Sequence, residues 1–293
     1  MRRNLSKNLT VLAFIFPALF LFTVVVIYPI FQTLLRSFYR WDGIGSGSYI
    51  GFNNYLKLLA DPDFGIAVRN GLIFAAVLVV YEIGVGALLA LTMLDKSMRL
   101  KRAFKTTYFL PVVLSITVVC QLWVFIYNMD YGLINKLFEA LGFTYRQSWL
   151  YDKNTAIIAV AFTNAWQYMG ILMTLIYAAA ISIPEQYYEA ARIDGASVVR
   201  THLSVTLPFL TETFRFCLII SLTGGLRAFS NMFIMTGGGP GNYTFTLTYL
   251  MYKSAFTTSE FGYACSSSVI LVAQCLLFTL LINRLWRSSD ITF

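Results

Sequence analysis

Long apolar stretches alternate with short charged segments along the chain. Six of these stretches reach the length of about 20 residues that a helix needs to cross the hydrocarbon core of a bilayer. They occupy, to within a few residues, 9–35, 70–94, 106–128, 155–183, 209–235 and 264–282. The pattern predicts an all-α integral membrane protein with six transmembrane helices, which together make one transmembrane domain over residues 1–293.

The overall composition supports the same interpretation. Of the 293 residues, 58% are hydrophobic and only 12% are charged, whereas a soluble domain carries about 25% charged residues. Half of that charge is too little to cover a soluble globule of this size, so lipid must solvate much of the exterior.

The cationic residues indicate the orientation. They are denser in the N-terminal segment, in segments 95–105 and 184–208, and in the C-terminal tail than in the longer loops on the opposite side. The denser set comprises Arg2, Arg3, Lys7, Lys96, Arg99, Lys101, Arg102, Lys105, Arg192, Arg200, Arg284 and Arg287. Lys and Arg collect in cytoplasmic loops, which predicts that both termini are cytoplasmic. The same tendency explains the net charge of +8 without nucleic acid as a partner.

Patterns typical of enzymes are missing from the sequence. It has no Gly-x-x-x-x-Gly-Lys-Ser/Thr nucleotide loop and no Gly-x-Ser-x-Gly nucleophile elbow. The single histidine, His202, and the four cysteines lack metal-ligand spacing. We therefore expect no catalytic residues, no metal and no cofactor on this chain, and an energy source that is either another chain or an ion.

The segment 184–208, between the fourth and fifth stretches, predicts a short helix and turn at the cytoplasmic surface. Pro184 suits a first helical turn, and Gly195 suits a helix stop with positive φ. Tyr187, Ala190 and Ala191 share one side of that helix. Periodicity alone also allows a solvated amphipathic linker.

The residues of this segment resemble the signature Glu-Ala-Ala-x-x-x-Gly of permease subunits of ATP-binding-cassette importers. The extended signature adds Asp before the Gly, Ala after it, and a later Leu-Pro. The matching residues are Glu189, Ala190, Ala191, Asp194, Gly195, Ala196, Leu207 and Pro208. The chain departs from the pattern at His202, where an aromatic residue is common. The resemblance implies that 184–208 is a coupling loop whose helix docks on a cytoplasmic ATPase.

Two later segments, 236–244 and 252–256, look like the carbohydrate-uptake branch of these permeases, of the maltose or multiple-sugar type. The resemblance implies a multi-pass protein of the bacterial inner membrane that moves a sugar or sugar-like solute into the cytoplasm by alternating access. It also implies a second homologous permease subunit, an extracytoplasmic solute-binding protein and two ATPase subunits, which bind ATP and Mg.

Polar and aromatic residues in the fourth and fifth stretches are the candidates for the substrate path, because sugars suit aromatic faces and amide hydrogen bonds. They are Asn164, Trp166, Gln167, Tyr168, Arg227, Phe229, Ser230 and Asn231. Each of them could instead serve helix packing or interfacial anchoring. Arg227 could pair with Glu82, meet an anionic sugar, or extend toward the outer interface.

Three other interpretations stay open. The solute could be a phosphodiester or a polyol instead of a sugar. A secondary transporter driven by protons or sodium is disfavoured, because Glu82 is nearly alone as an acid deep in a span. A membrane-bound enzyme is disfavoured by the missing catalytic residues.

Overall fold

A computed structural model describes residues 2–95 and 99–286. Lys96 and Arg287, two of the cations that predict the orientation, lie outside the described residues, as do parts of segment 95–105 and of the C-terminal tail.

The described chain is mostly helical and has almost no strands, which confirms the all-α prediction. The α-helices are α1 (Arg2–Phe22), α2 (Tyr28–Arg36), α3 (Asn53–Ala60), α4 (Pro62–Leu78), α5 (Gly84–Thr92), α6 (Lys101–Val113), α7 (Ile116–Ile126), α8 (Leu133–Ala140), α9 (Ala156–Ile181), α10 (Glu185–Ile193), α11 (Val198–Thr201), α12 (Leu207–Phe209), α13 (Thr211–Leu226), α14 (Ser230–Met235), α15 (Leu247–Tyr252) and α16 (Phe261–Leu285). Short π-helical segments lie at Thr23–Ile27, Val79–Ile83, His202–Thr206 and Lys253–Thr257. Strands β1 (Tyr39–Arg40) and β2 (Ser48–Tyr49) form an antiparallel pair.

Four continuous helices are long and apolar enough to cross a membrane: Ala13–Arg36, Pro62–Thr92, Ala156–Ile181 and Phe261–Leu285. Two helix pairs reach the same length only when they are taken together. The pair α6–α7 is bent by 99°, and the pair Val198–Phe209 and Thr211–Leu226 is bent by 70°. The third predicted stretch is therefore a broken helix, and the 70° bend lies at Leu210, where the fifth predicted stretch begins.

The break between α6 and α7 lies at Leu114 and Ser115, which adopt extended backbone angles. Pro111 lies inside α6, one turn before the break. It lacks the backbone N–H that a helix interior needs and disturbs the turn that precedes it. The Leu114 carbonyl accepts a hydrogen bond of 3.0 Å from Gln167 Nε2 of α9. A side chain thus satisfies a carbonyl that the helix no longer pairs.

A further break lies inside the fifth predicted stretch, between α13 and α14. The helix ends at Leu226, and Phe229 has left the helical region, with φ −132° and ψ −53°. The carbonyl of Ala228 accepts hydrogen bonds from the hydroxyls of Thr246, at 3.2 Å, and Thr248, at 2.6 Å. The break could not be predicted from the sequence of 209–235, because the stretch is largely apolar. The threonines that bind the Ala228 carbonyl are also distant along the chain.

Glycines allow the helices around α9 to approach closely. A Cβ at Gly170 of α9 would lie 2.4 Å from the Tyr108 carbonyl oxygen of α6. A Cβ at Gly225 of α13 would lie 2.6 Å from Ala75 Cα of α4. Small residues at such crossings are typical of helix packing in membranes.

Asn70 of α4 holds the loop after α14, because its amide donates to the carbonyls of Tyr243 and Phe245.

The chain divides into two compact units. One comprises 1–61 and 250–272, and the other comprises 62–249 and 273–293. In the first unit, Asn54 Nδ2 donates to the carbonyls of Ser37 and Tyr39, and Lys57 forms an ion pair of 2.6 Å with Glu260. The predicted coupling loop, 184–208, and all of the predicted substrate-path residues lie in the second unit.

Gly170→Ala should destabilise the protein by about 1–3 kcal/mol, because the added methyl group overlaps the α6 backbone. Gly84→Ala is the matched control, since Gly84 is also helical and a Cβ there would meet nothing within 4 Å. Thermal unfolding in detergent should give a lower midpoint for Gly170→Ala and an unchanged or higher one for Gly84→Ala. Equal midpoints would contradict the close crossing of α6 and α9.

Candidate functional site

The predicted coupling segment folds as the helix α10, which begins directly after Pro184. Its C-terminus is closed by hydrogen bonds from the N–H of Gly195 to the Arg192 carbonyl, at 3.1 Å, and from the N–H of Ala196 to the Ala191 carbonyl, at 2.9 Å. Gly195 has φ +72°, and this combination is typical of a glycine helix stop. The glycine therefore determines where the helix ends and where the chain turns.

One side of α10 packs against the chain that leads into α13. The Tyr187 ring lies 4.8 Å, between centroids, from the Phe209 ring of α12. The hydroxyls of Tyr188 and Thr206 are 3.3 Å apart. These contacts attach α10 to the segment before α13.

The opposite side of α10 is not covered by any of the residues 2–95 and 99–286. Glu189 and Ala190 are exposed, and the Ile193 side chain is 86% exposed. This side of α10 therefore presents acidic, small and aliphatic groups together at the surface. The remaining signature residues follow the helix: Asp194, Gly195 and Ala196 form its end, and Leu207 and Pro208 begin α12.

A separate cavity of about 340 Å³ lies between α9, α13 and α14. The π-helical segment Val79–Ile83 and the start of α7 complete its wall. Its lining residues are Leu78, Glu82, Ile116, Asn164, Tyr168, Ile171, Leu172, Ile220, Ser221, Gly224, Arg227, Ala228, Phe229, Ser230 and Asn231. The α9 members recur at spacings of three, four, seven and eight, so they share one helix face.

The polar groups of this cavity are held by hydrogen bonds between helices. Asn164 Nδ2 donates to Asn231 Oδ1 at 2.7 Å, and Asn231 Nδ2 lies 3.5 Å from Cys120 Sγ. Ser221 Oγ donates to Glu82 Oε2 at 2.7 Å. These bonds orient amide and carboxylate groups that a polyhydroxylated solute can also use.

The structure brings six of the eight predicted substrate-path residues together in this cavity and places the other two outside it. Asn164, Tyr168, Arg227, Phe229, Ser230 and Asn231 line the cavity. Trp166 packs on Trp123, with ring centroids 5.5 Å apart, and Gln167 binds the Leu114 carbonyl. These two were assigned to the path from residue type alone, and they point to other faces of α9.

Arg227 does not pair with Glu82 in the described part of the chain. The Glu82 carboxylate takes the Ser221 hydroxyl as its partner, and Arg227 Nε donates to the Thr223 carbonyl at 3.2 Å. Both residues line the same cavity. Its wall therefore carries one acidic and one basic group at separate places.

Glu82, Ser221 and Gly224 belong to the cavity but were not among the predicted path residues. The sequence offered one signal for Glu82: it is an isolated acid in the second predicted stretch, and a buried charge in a span is costly. Ser221 and Gly224 resemble ordinary small residues of helix packing. Among residues 2–95 and 99–286, no group of three or more His, Cys, Asp or Glu side chains is placed to hold a metal ion.

Comparison with known protein families decides the class. The model of a family described as "Binding-protein-dependent transport system inner membrane component" matches residues 82–288. The chain belongs to this family. The permease is thus a multi-pass inner-membrane component of a transport system, and the prediction of an ATP-binding-cassette importer permease is confirmed.

Curated relatives cover nearly the whole permease. YurN of Bacillus subtilis (strain 168), a probable ABC transporter permease, is 35% identical over 279 residues, which are 94% of this chain and 95% of the relative. MsmF of Streptococcus mutans serotype c, a permease of a multiple sugar-binding transport system, is 35% identical over 260 residues, 88% of each chain.

A solved structure shares the fold. It is a chain of a bacterial ABC transporter involved in the import of the acidic polysaccharide alginate. The TM-score is 0.85 at 21% identity, and the match covers 98% of each chain. The bent helices and the helical loop before α13 therefore belong to a fold that an experimental structure also contains.

Asn231→Ala should destabilise the permease by about 1 kcal/mol or more, because Asn164 loses its buried partner. Asn154→Ala, in an exposed loop, is the control and should leave stability unchanged. Thermal unfolding of the purified protein measures both. A variant at 231 as stable as the control would contradict the network that joins α9 to α14.

Proposed function

We propose that this permease moves a sugar or sugar-like solute into the cytoplasm by alternating access. The observation that carries the proposal is the cavity between α9, α13 and α14, where amide, hydroxyl, aromatic and charged side chains face one space inside the helical unit. Helix contacts in membranes are typically made by small residues and by polar side chains that hydrogen-bond to each other, whereas this cavity is also lined by the charged Arg227 and the aromatic Phe229.

The chemistry of this cavity suits a carbohydrate. Asn164 and Asn231 offer amides that donate and accept hydrogen bonds, as paired sugar hydroxyls require. Tyr168 and Phe229 supply rings on which the apolar face of a sugar can lie. Relatives named for multiple sugars, arabinooligosaccharides and diacetylchitobiose support the same class of solute.

We infer the partners from the exposed side of α10. We propose that Glu189, Ala190 and Ile193 dock on a cytoplasmic ATPase, with both termini of the permease on the same side of the membrane. The complete importer would contain two ATPase subunits, a second homologous permease and an extracytoplasmic solute-binding protein. ATP and Mg would bind to the ATPases.

Movement of α10 has a short route to the cavity. The Tyr187–Phe209 ring contact and the Tyr188–Thr206 hydroxyl contact join α10 to the segment that continues into α13. Ser221 and Gly224 of α13 line the cavity. Closure of the ATPase pair would therefore displace α13 and change which side of the membrane the cavity faces.

Gly195→Val should abolish solute uptake while leaving membrane insertion intact. A Cβ at Gly195 meets nothing within 4 Å, so the substitution costs only the left-handed backbone strain of about 1–2 kcal/mol and changes the direction in which α10 ends. Uptake of radiolabelled sugars by membrane vesicles measures the effect.

The matched control is Gly142→Val. Gly142 also has a positive φ, +85°, and open space around its missing Cβ, but it follows α8, far along the chain from the coupling loop. This variant should keep uptake near the level of the unmodified protein. Equal uptake by the two variants would contradict the coupling role of α10, and failure of any ATPase to co-purify with the unmodified permease would contradict the importer class.

A further inference from the structure

A second cavity of the permease lies apart from the proposed solute path. It has a volume of about 440 Å³ and forms where α10 and α11 fold beside the ends of α5, α6 and α9. Its lining residues are Met93, Leu94, Lys101, Tyr177, Ala180, Ile181, Ile183, Glu185, Tyr188, Arg192, Ala196, Val198, Thr201 and His202. None of them lines the cavity that contains Glu82.

The charged groups of this lining favour an anion. Lys101 and Arg192 contribute positive charge, and Glu185 is the single acid among the described lining residues. Glu185 is already engaged, because its Oε1 lies 2.8 Å from Arg192 Nη2. Lys101 therefore supplies a cationic group that no acid of the lining balances.

The neutral part of the lining favours an occupant with an apolar portion. Most of the wall is aliphatic or aromatic, and two of its aliphatic side chains are largely exposed, Ile181 by 60% and Val198 by 73%. A small hydrophilic anion such as free phosphate would leave these surfaces uncovered. An amphiphile with an anionic head would cover them.

Among amphiphiles with an anionic head, the position of the cavity favours a membrane lipid. It lies at the last turns of α9, a continuous membrane-length helix, and at the first residue of α6. Lys105 of α6 lies 5.9 Å from the centre of the Tyr177 ring, so basic and aromatic groups meet at one level of the helices. Such a level is typical of the membrane–water interface, and basic pockets between helices on the cytoplasmic side bind lipid headgroups.

We propose that this cavity binds an anionic phospholipid, with the phosphate near Lys101 and the first part of the acyl chains against Ile181 and Val198. The proposal rests on the proposed function for the cytoplasmic location of this end. A lipid bound here contacts both α6 and the base of α10. It would therefore support the coupling helix from the membrane side, opposite to the side proposed to meet the ATPase.

The test uses the purified importer complex in nanodiscs of phosphatidylcholine with added phosphatidylglycerol. Native mass spectrometry after release into mild detergent counts the phosphatidylglycerol molecules that stay bound to the permease. Lys101→Gln should lower this retention about fivefold, as expected for the loss of one cation near an anionic headgroup. Lys101→Arg should retain the lipid, and Ile181→Trp should displace it by filling the apolar wall.

Lys153→Gln, at an exposed position of the loop before α9, is the matched control and should retain phosphatidylglycerol fully. Equal retention by Lys101→Gln and Lys153→Gln would overturn the proposal, as would full retention by Ile181→Trp. The same spectra report whether the ATPase subunits remain attached. Loss of the ATPase from the unmodified complex would count against the proposed function, whereas the lipid count is read on the permease itself.

Discussion

A chain that crosses lipid must satisfy its own backbone hydrogen bonds, because the hydrocarbon core offers no water. This constraint is visible at two of the breaks in the spans of this permease. Gln167 of α9 donates to the Leu114 carbonyl at the break between α6 and α7. Thr246 and Thr248 donate to the Ala228 carbonyl at the break between α13 and α14. With these partners, irregular backbone is tolerated beside the cavity.

The break between α13 and α14 shapes the wall of the cavity between α9, α13 and α14. The end of α13 and the start of α14 place Arg227, Phe229, Ser230 and Asn231 at successive positions around one space. The glycines at 170 and 225 allow α9 to approach α6 and α13 to approach α4 closely. The hydrogen bonds Asn164–Asn231 and Ser221–Glu82 hold the polar groups of the cavity in place. Tight packing and a polar cavity are thus produced by the same helices.

Hydrophobic length predicted the helical class and the approximate spans, because both depend on composition over some 20 residues. The local signature around Gly195 predicted the short helix α10, since proline, alanine and glycine act through their own backbone preferences. The breaks were not predicted, because the partners of the Leu114 and Ala228 carbonyls are distant in sequence. Trp166 and Gln167 show likewise that the sequence does not reveal which residues become neighbours in the fold. Their residue types suit a sugar, but only the three-dimensional neighbours reveal that one packs on Trp123 and the other binds backbone.

The central claim is that the cavity between α9, α13 and α14 is the solute path. Thiol labelling in a background without the four native cysteines tests it directly, with Ser230→Cys in the cavity and Thr163→Cys on a buried, non-lining position of α9. A small water-soluble reagent should label position 230, more slowly when the solute is saturating, and should leave position 163 unlabelled. Labelling of position 230 that the solute does not slow, or equal labelling at both positions, would contradict the claim.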